Sequence, residues 1–243
     1  MKQIIAMGGG GFLMDDNPLL DDFILSRAKG KDSRVCFVAT ASGDSDRMLV
    51  NFYTALGRRC QATHLPLFRR THDDVTAYLL EHDVIYVGGG NTANMLGVWR
   101  IHGVDKALAH AYDKGIVLCG VSAGALCWFE TGVTDSFGSS LTYIDNLLGL
   151  VPGSFCPHYN GDSLRRPTYQ RLVHDGMKPG FAADVGAALH FIDGTLSEVV
   201  SSRPDAGAYR LECRGSEVYE EAMPVRYLGE KDESTGCPTS GCN

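Results

Sequence analysis

This 243-residue chain has no apolar run of membrane-spanning length, so no transmembrane helix is expected. A secretory h-region is missing too, because Met1 to Met7 gives way at once to Gly8-Gly9-Gly10-Gly11. These absences predict a cytoplasmic protein. Positive charge is scarce: 22 Lys and Arg against 29 Asp and Glu leave a net charge of −7. Basic residues gather only in pairs such as Arg58-Arg59, Arg69-Arg70 and Arg165-Arg166, which excludes a nucleic-acid footprint. The 8 cysteines contain no Cys-x-x-Cys pair and the 8 histidines no H-E-x-x-H spacing, so no metal is expected. Cys36, Cys60, Cys119, Cys127 and Cys156 stand singly in or beside apolar segments and are expected to be reduced packing residues. A complete dinucleotide fingerprint is also lacking. After Gly8 and Gly10, the place of the third glycine is taken by Leu13, and the second apolar run ends in Ala39-Thr40-Ala41-Ser42 without a ribose-binding acid. No cofactor is predicted, and the glycine run is expected to be a crowded turn.

What the chain does have is alternation. Short apolar runs at Ile4–Met7, Val35–Ala39, Ala62–Leu67, Val84–Val87 and Ile116–Val121 read as strands. Helical segments separate them. One opens at Asn17-Pro18, one carries Met48, Leu49, Phe52, Tyr53 and Leu56 on one face, and one carries Val104, Ala107, Leu108, Ala111 and Tyr112. Strands apolar throughout, separated by amphipathic helices, predict an α/β fold with a mostly parallel sheet covered on both faces. Ligands bind such sheets beyond the carboxyl ends of the strands, where glycine-rich turns at Gly8, Gly88 and Gly120 all fall. After residue 185 the pattern becomes a β-hairpin, Ala188–Ile192 and Leu196–Val200 about Asp193-Gly194, with further strands near Ala208–Cys213 and Glu217–Met223. Residues 1–229 are expected to form one domain, followed by a polar tail over 230–243 that contains Cys237 and Cys242.

The most informative segment is Gly120-Val121-Ser122-Ala123-Gly124, which joins a buried strand to a helix-compatible stretch. A serine on such a turn projects its hydroxyl outward, and the next N–H, that of Ala123, is free to stabilise an oxyanion. Gly88-Gly89-Gly90-Asn91 could complete that hole if its strand lies beside the serine strand. The serine needs a base, and the base an orienting acceptor. Among the histidines, His82, His102 and His110 lie in or near helices and His190 sits mid-strand. His158 occupies an irregular loop directly after Pro157, which restrains it. Asp135, Asp162 and Asp184 are the acceptor candidates, and Asp184 stands among small apolar residues that call for a partner.

Together these segments resemble the peptidase E, or aspartyl dipeptidase-like, serine peptidases, which include cyanophycinase relatives. The resemblance spans about residues 1 to 200. It rests on Val87-Gly88-Gly89-Gly90-Asn91-Thr92, Gly120-Val121-Ser122-Ala123-Gly124-Ala125, Pro157-His158 and the acid-small-apolar segment at Asp184. It implies a flavodoxin-like or class I glutamine-amidotransferase-like sheet and a serine-histidine-acid triad in that chain order. Ser122 would be the nucleophile, His158 the base and Asp184 the orienting acid, with Gly89, Gly90 and Ala123 supplying the oxyanion hole. Asn91, Asp135, Arg165 and Arg166 become candidates for substrate contact. The dipeptidase reads an acidic N-terminal residue with an arginine downstream of its histidine, and Arg166 is the nearest match, beside Arg165. Two departures stand out: Asp184 where the dipeptidase has glutamate, and a different segment over Cys127–Gly138. The implied substrate is a small peptide, and the assembly a monomer or homodimer. Two rivals remain: an esterase in which Asp135 orients the histidine, and a non-catalytic small-molecule binder.

Overall fold

The computed structural model describes residues 1–14 and 17–229. The tail expected over 230–243, with Cys237 and Cys242, lies outside the described residues. Strands β1 (Gln3–Met7), β2 (Arg34–Val38), β3 (Gln61–His64), β4 (Val84–Val87) and β5 (Val117–Val121) alternate with helices α1 (Leu19–Ser26), α2 (Asp46–Leu56), α3 (Val75–Leu80), α4 (Thr92–His102) and α5 (Val104–Asp113). Then come α6 (Ala123–Leu126), β6 (Thr131–Thr134), β7 (Thr142–Asp145), β8 (Ser154–Cys156), α7 (Arg165–His174) and β9 (Gly180–Ala183). The chain closes with β10 (Ala187–Ile192), β11 (Thr195–Ser201), β12 (Ala208–Arg214), β13 (Glu217–Ala222) and β14 (Arg226–Tyr227).

The main sheet has eight strands in the order β14-β11-β10-β1-β5-β4-β2-β3. β1 to β5 are mutually parallel, as the apolar runs separated by helices predict, while β10 runs antiparallel to β1 and β11 to β10. β1, β2, β4 and β5 are buried on both faces, which is why these four show no polar alternation, whereas β3 (Gln61–His64) is the edge strand and is partly exposed. Ile4, Cys36, Ile85 and Leu118 pack with Leu79, Trp99 and Leu108 from α3, α4 and α5. Their neighbours Ile5, Phe37, Tyr86 and Cys119 pack on the other face with Phe23 and Phe52 from α1 and α2. The fold class is therefore the expected α/β sheet with helices on both faces. All five cysteines taken as packing residues are buried and unpaired.

A second sheet has the order β13-β12-β9-β8-β6-β7, of which the sequence pattern indicates only β12 and β13. The expected C-terminal extension divides between the sheets: β10 and β11 extend the first, and β12 and β13 extend the second. Phenylalanines join the two. Phe129 and Phe155 stack with centroids 4.8 Å apart, and Phe191 of β10 meets Phe129 and Phe181 edge-on. A fully buried phenylalanine contributes about 1.5–3 kcal/mol, so this seam is a principal hold on β8 and β9, the strands that flank the loop carrying His158.

Candidate active site

β5 delivers Ser122 to the carboxyl edge of the main sheet between β1 and β4, with Val87 opposite Gly120 and Met7 opposite Val121. The glycine-rich turns after β1, β4 and β5 therefore do converge. Ser122 adopts φ 57°, ψ −116°, a conformation costly for any residue with a side chain. The glycines around it are forced by crowding. A Cβ on Gly120 would lie 2.2 Å from Gly124 O, and one on Gly124 would lie 2.2 Å from Val87 O. The Ser122 N–H donates to Met7 O at 3.2 Å, which pins the turn to β1.

His158 comes from the loop after β8. Its N–H donates to Gly8 O at 2.8 Å, and that of Tyr159 donates to Ala183 O at 3.0 Å. The backbone at His158 is left-handed, with φ 54°, and this turns the ring toward the elbow. Nε2 lies 2.8 Å from Ser122 Oγ. Burial, with the charge of Arg165 adding to it, pushes the imidazole down to about 4, while Asp135 opposes the shift. The ring is consequently neutral at pH 7 and able to accept the serine proton. Sequence reasoning missed Gly9, whose added Cβ would sit 3.0 Å from His158 Nδ1. Its only signal was membership of the glycine run, which is the crowded turn expected, closed by the Gly186 N–H on Gly9 O at 3.1 Å.

Asp184 is buried but is not brought onto the imidazole. Its Oδ2 accepts the Gly207 N–H at 2.9 Å, and the backbone of Asn160 adds a further bond. Burial raises its pKa, and those backbone donors partly offset the rise. The partner that its burial demanded is thus main chain, two residues beyond His158 and at Gly207. Asp135 does not meet the imidazole either, because its Oδ2 faces Arg165 Nη2 at 3.4 Å. The orientation that the esterase alternative needs is absent. Asp162 Oδ1 accepts from the Leu164 N–H ahead of α7. Among the described residues, no hydrogen bond reaches His158 Nδ1.

β4 lies beside β5, as the oxyanion expectation required. Gly88 donates to Val38 O and Asn91 to Ala41 O, so the N–H groups of Gly89 and Gly90 fall between two anchored residues. Gly89 borders the elbow, since its added Cβ would lie 3.2 Å from Ser122 Cβ. At Gly90, with φ 141°, an added Cβ would lie 2.2 Å from Ala41 O, so no side chain fits there. The Asn91 side chain is bonded within the protein: its Oδ1 caps α4 at the Asn94 N–H, and its Nδ2 donates to Ser136 O at 3.0 Å. Ser136, also missed from sequence, accepts from the Thr92 and Ala93 N–H groups and so ties the segment after β6 to the glycine turn. Arg165 is 9% exposed and donates to Pro157 O at 3.5 Å. Arg166 is held by Glu220 and lies over the rings of Tyr159 and Tyr209.

A strained serine hydrogen-bonded to a neutral histidine, at the carboxyl edge of a parallel α/β sheet, is the arrangement of a serine-type hydrolase. Comparison with known proteins makes this particular: the model of peptidase family S51 matches residues 4–199, and the chain belongs to that family. It is a serine-type peptidase. A Bacillus subtilis (strain 168) protein named "Uncharacterized peptidase YgaJ" is 50% identical over 232 residues, covering 94% of this chain and 100% of its own. Peptidase E of Actinobacillus pleuropneumoniae serotype 3 is 28% identical over 222 residues, covering 84% of this chain and 91% of its own. Among solved structures, a peptidase from an acI-B1 Actinobacterium superposes with a TM-score of 0.66 at 18% identity, covering 95% of this chain and 96% of that one. Among the described residues, no helix is long and apolar enough to cross a membrane.

Proposed function

We propose that this peptidase hydrolyses small peptides, in the manner of a dipeptidase, through an acyl-enzyme on Ser122. The observation that carries this reading is the 2.8 Å contact between His158 Nε2 and Ser122 Oγ on a strained elbow. His158 takes the hydroxyl proton as Oγ adds to the scissile carbonyl. The negative oxygen of the tetrahedral intermediate is received by the Ala123 N–H and by an N–H of the Gly89-Gly90 turn. His158 then gives its proton to the departing amine, the C–N bond breaks, and an ester on Ser122 remains. Water, deprotonated by the same imidazole, adds to that ester, and its collapse frees the carboxylate and restores the hydroxyl.

In this reading Asp184 is a positioning residue. Its bonds to Gly207 and to the Asn160 backbone hold the segment that presents His158, without touching the imidazole. Fixed donors aimed at the oxyanion are worth on the order of 10²–10³ in turnover, so the glycine turn matters as much as the base. The test is a dipeptide library assayed with wild-type and Ser122→Ala protein. The reading expects turnover by the wild type and a loss of at least about 10⁴-fold in the variant. Full activity in Ser122→Ala would refute it.

A further inference from the structure

The turn proposed to receive the oxyanion, Gly89-Gly90, has no side chains of its own to hold it. Gly88 donates to Val38 O at 3.0 Å and Asn91 to Ala41 O at 2.8 Å, so both backbone anchors lie on β2 and the loop that leaves it. Glycine gives up more backbone freedom than any other residue when it is fixed. Donors aimed at an oxyanion act only so far as they are fixed before the reaction. A turn built this way therefore gains from a second hold.

Ser136 supplies it. Asn91, which follows the turn, caps α4 through Oδ1 at the Asn94 N–H, 2.9 Å away, and this leaves the two preceding N–H groups of the helix in need of an acceptor. Both go to Ser136 Oγ, from Thr92 at 3.0 Å and from Ala93 at 3.3 Å. With its lone pairs so occupied, the hydroxyl has its proton left for Thr134 Oγ1 at 2.7 Å, and that oxygen also accepts the Ser136 N–H at 3.1 Å. Ser136 O in turn accepts from Asn91 Nδ2 at 3.0 Å. Thr134 is the buried last residue of β6, a strand paired with β7 and β8. One serine, 44 residues along the chain from Thr92, thus joins the residues after the turn to the second sheet. Alanine would lose both Oγ bonds to α4, and threonine would keep them.

We infer that Ser136 is a positioning residue for the oxyanion hole, fixing the Gly89 and Gly90 N–H groups through Asn91 and the start of α4. Among the described residues it bonds to neither Ser122 nor His158. The inference rests on the acyl-enzyme reading above and adds a group that acts at one stage of it, when the carbonyl oxygen becomes negative. Substrate binding precedes that stage, and proton transfer to His158 uses other atoms. Loss of Ser136 Oγ should therefore appear in turnover, and not in KM or in the pH dependence. A serine that only closed the end of a helix would alter the melting temperature and leave turnover alone.

The experiment measures kcat, KM and the acid limb for the dipeptide that wild type cleaves fastest, and the rate of labelling by a fluorophosphonate. It uses wild type, Ser136→Ala, Ser136→Thr, Asn91→Ser and Ser122→Ala. In Ser136→Ala, kcat and the labelling rate should each fall about tenfold to a hundredfold, less than for a deleted donor, because the donors are loosened and not removed. KM should keep its wild-type value and the acid limb should stay near pH 4. Ser136→Thr should keep most of the wild-type rate. Asn91→Ser retains an oxygen to cap α4 but lacks the amide that donates to Ser136 O, so its kcat should fall as well. Wild-type kcat in folded Ser136→Ala, a loss carried by KM, a displaced acid limb, or a threonine variant as slow as the alanine one would overturn the proposal. The serine mechanism still stands in that case, provided wild type labels at Ser122 and Ser122→Ala is inactive. Should Ser136→Ala fail to fold, Asn91→Ser decides, and failure of both to fold would show that these bonds hold the fold and not the turn, which also overturns the proposal. Failure of wild type to cleave any dipeptide or to take the label at Ser122 would instead overturn the underlying reading.

Discussion

In the proposed mechanism the reactivity of Ser122 depends on the protonation of one ring. Burial and Arg165 hold His158 at about 4, below the ordinary histidine value of 6.5. A group whose value is lowered stays deprotonated down to that lower pH, so the proposed base would be in its neutral form throughout the neutral range. The rate should therefore be flat from pH 8 to about pH 5.5 and fall on an acid limb near 4, measured as kcat/KM against pH for a dipeptide. An acid limb at 6.5 or above would show that the imidazole is not held neutral by its surroundings. Both members of the pair were legible in the sequence for physical reasons. Ser122 stood out because only glycine fits at 120 and 124. His158 stood out because a proline-restrained loop is a better mount than the strand or helices that carry other histidines. His190, for instance, is a satisfied core residue bonded to Gln3 Oε1 at 2.9 Å.

At the level of elements, the site is a junction of three turns and one loop, and Asp184 tests how that junction works. The sequence showed that Asp184 would be buried and would need a partner, but not the direction of its carboxylate. The partner Gly207 lies 23 residues away and acts through main chain, which no side-chain pattern reports. If Asp184 anchors the loop, Asp184→Asn should cut kcat by less than about a hundredfold, because an amide oxygen still accepts from Gly207. A drop of about 10⁴, the effect of the equivalent change where an aspartate orients the catalytic histidine, would contradict the anchoring role. Asn91, a candidate substrate contact in the sequence, likewise has a structural bond there, capping α4 through Oδ1. Short elements were the least legible. β6 has 4 residues and β8 has 3, made of threonine, glycine, serine, valine, phenylalanine and cysteine, too brief for a period to register. Hence a second sheet built largely around them leaves little trace in the sequence, whereas β1, β2, β4 and β5, buried on both faces, are written in it as apolar runs.

Across the whole molecule, burial of neutral histidines couples stability to pH. His82, His158 and His190 are all lowered from 6.5, with desolvation the first cause in each. Below 6.5 the unfolded chain takes up protons that the folded chain refuses, so these groups' contribution is full above that pH and declines as pH falls toward the folded values. Thermal melting should accordingly occur at lower temperature at pH 5 than at pH 7.5, and an unchanged or higher Tm at pH 5 would contradict this. In the proposed mechanism the two sheets contribute different parts: the first presents Ser122 and the glycine turns, and the loop that carries His158 leaves β8 of the second. Which strands pair across a seam of phenylalanines is a tertiary outcome, whereas the parallel order of β1 to β5 follows from their composition and the helices between them.

The most direct measurement is to treat the folded protein with a fluorophosphonate and map the adduct by mass spectrometry, in wild type and in His158→Gln. Activation of the serine by the neighbouring imidazole predicts a single adduct on Ser122 in the wild type and labelling slowed by orders of magnitude in the variant. An adduct on another residue, or equally fast labelling of Ser122 without His158, would contradict it.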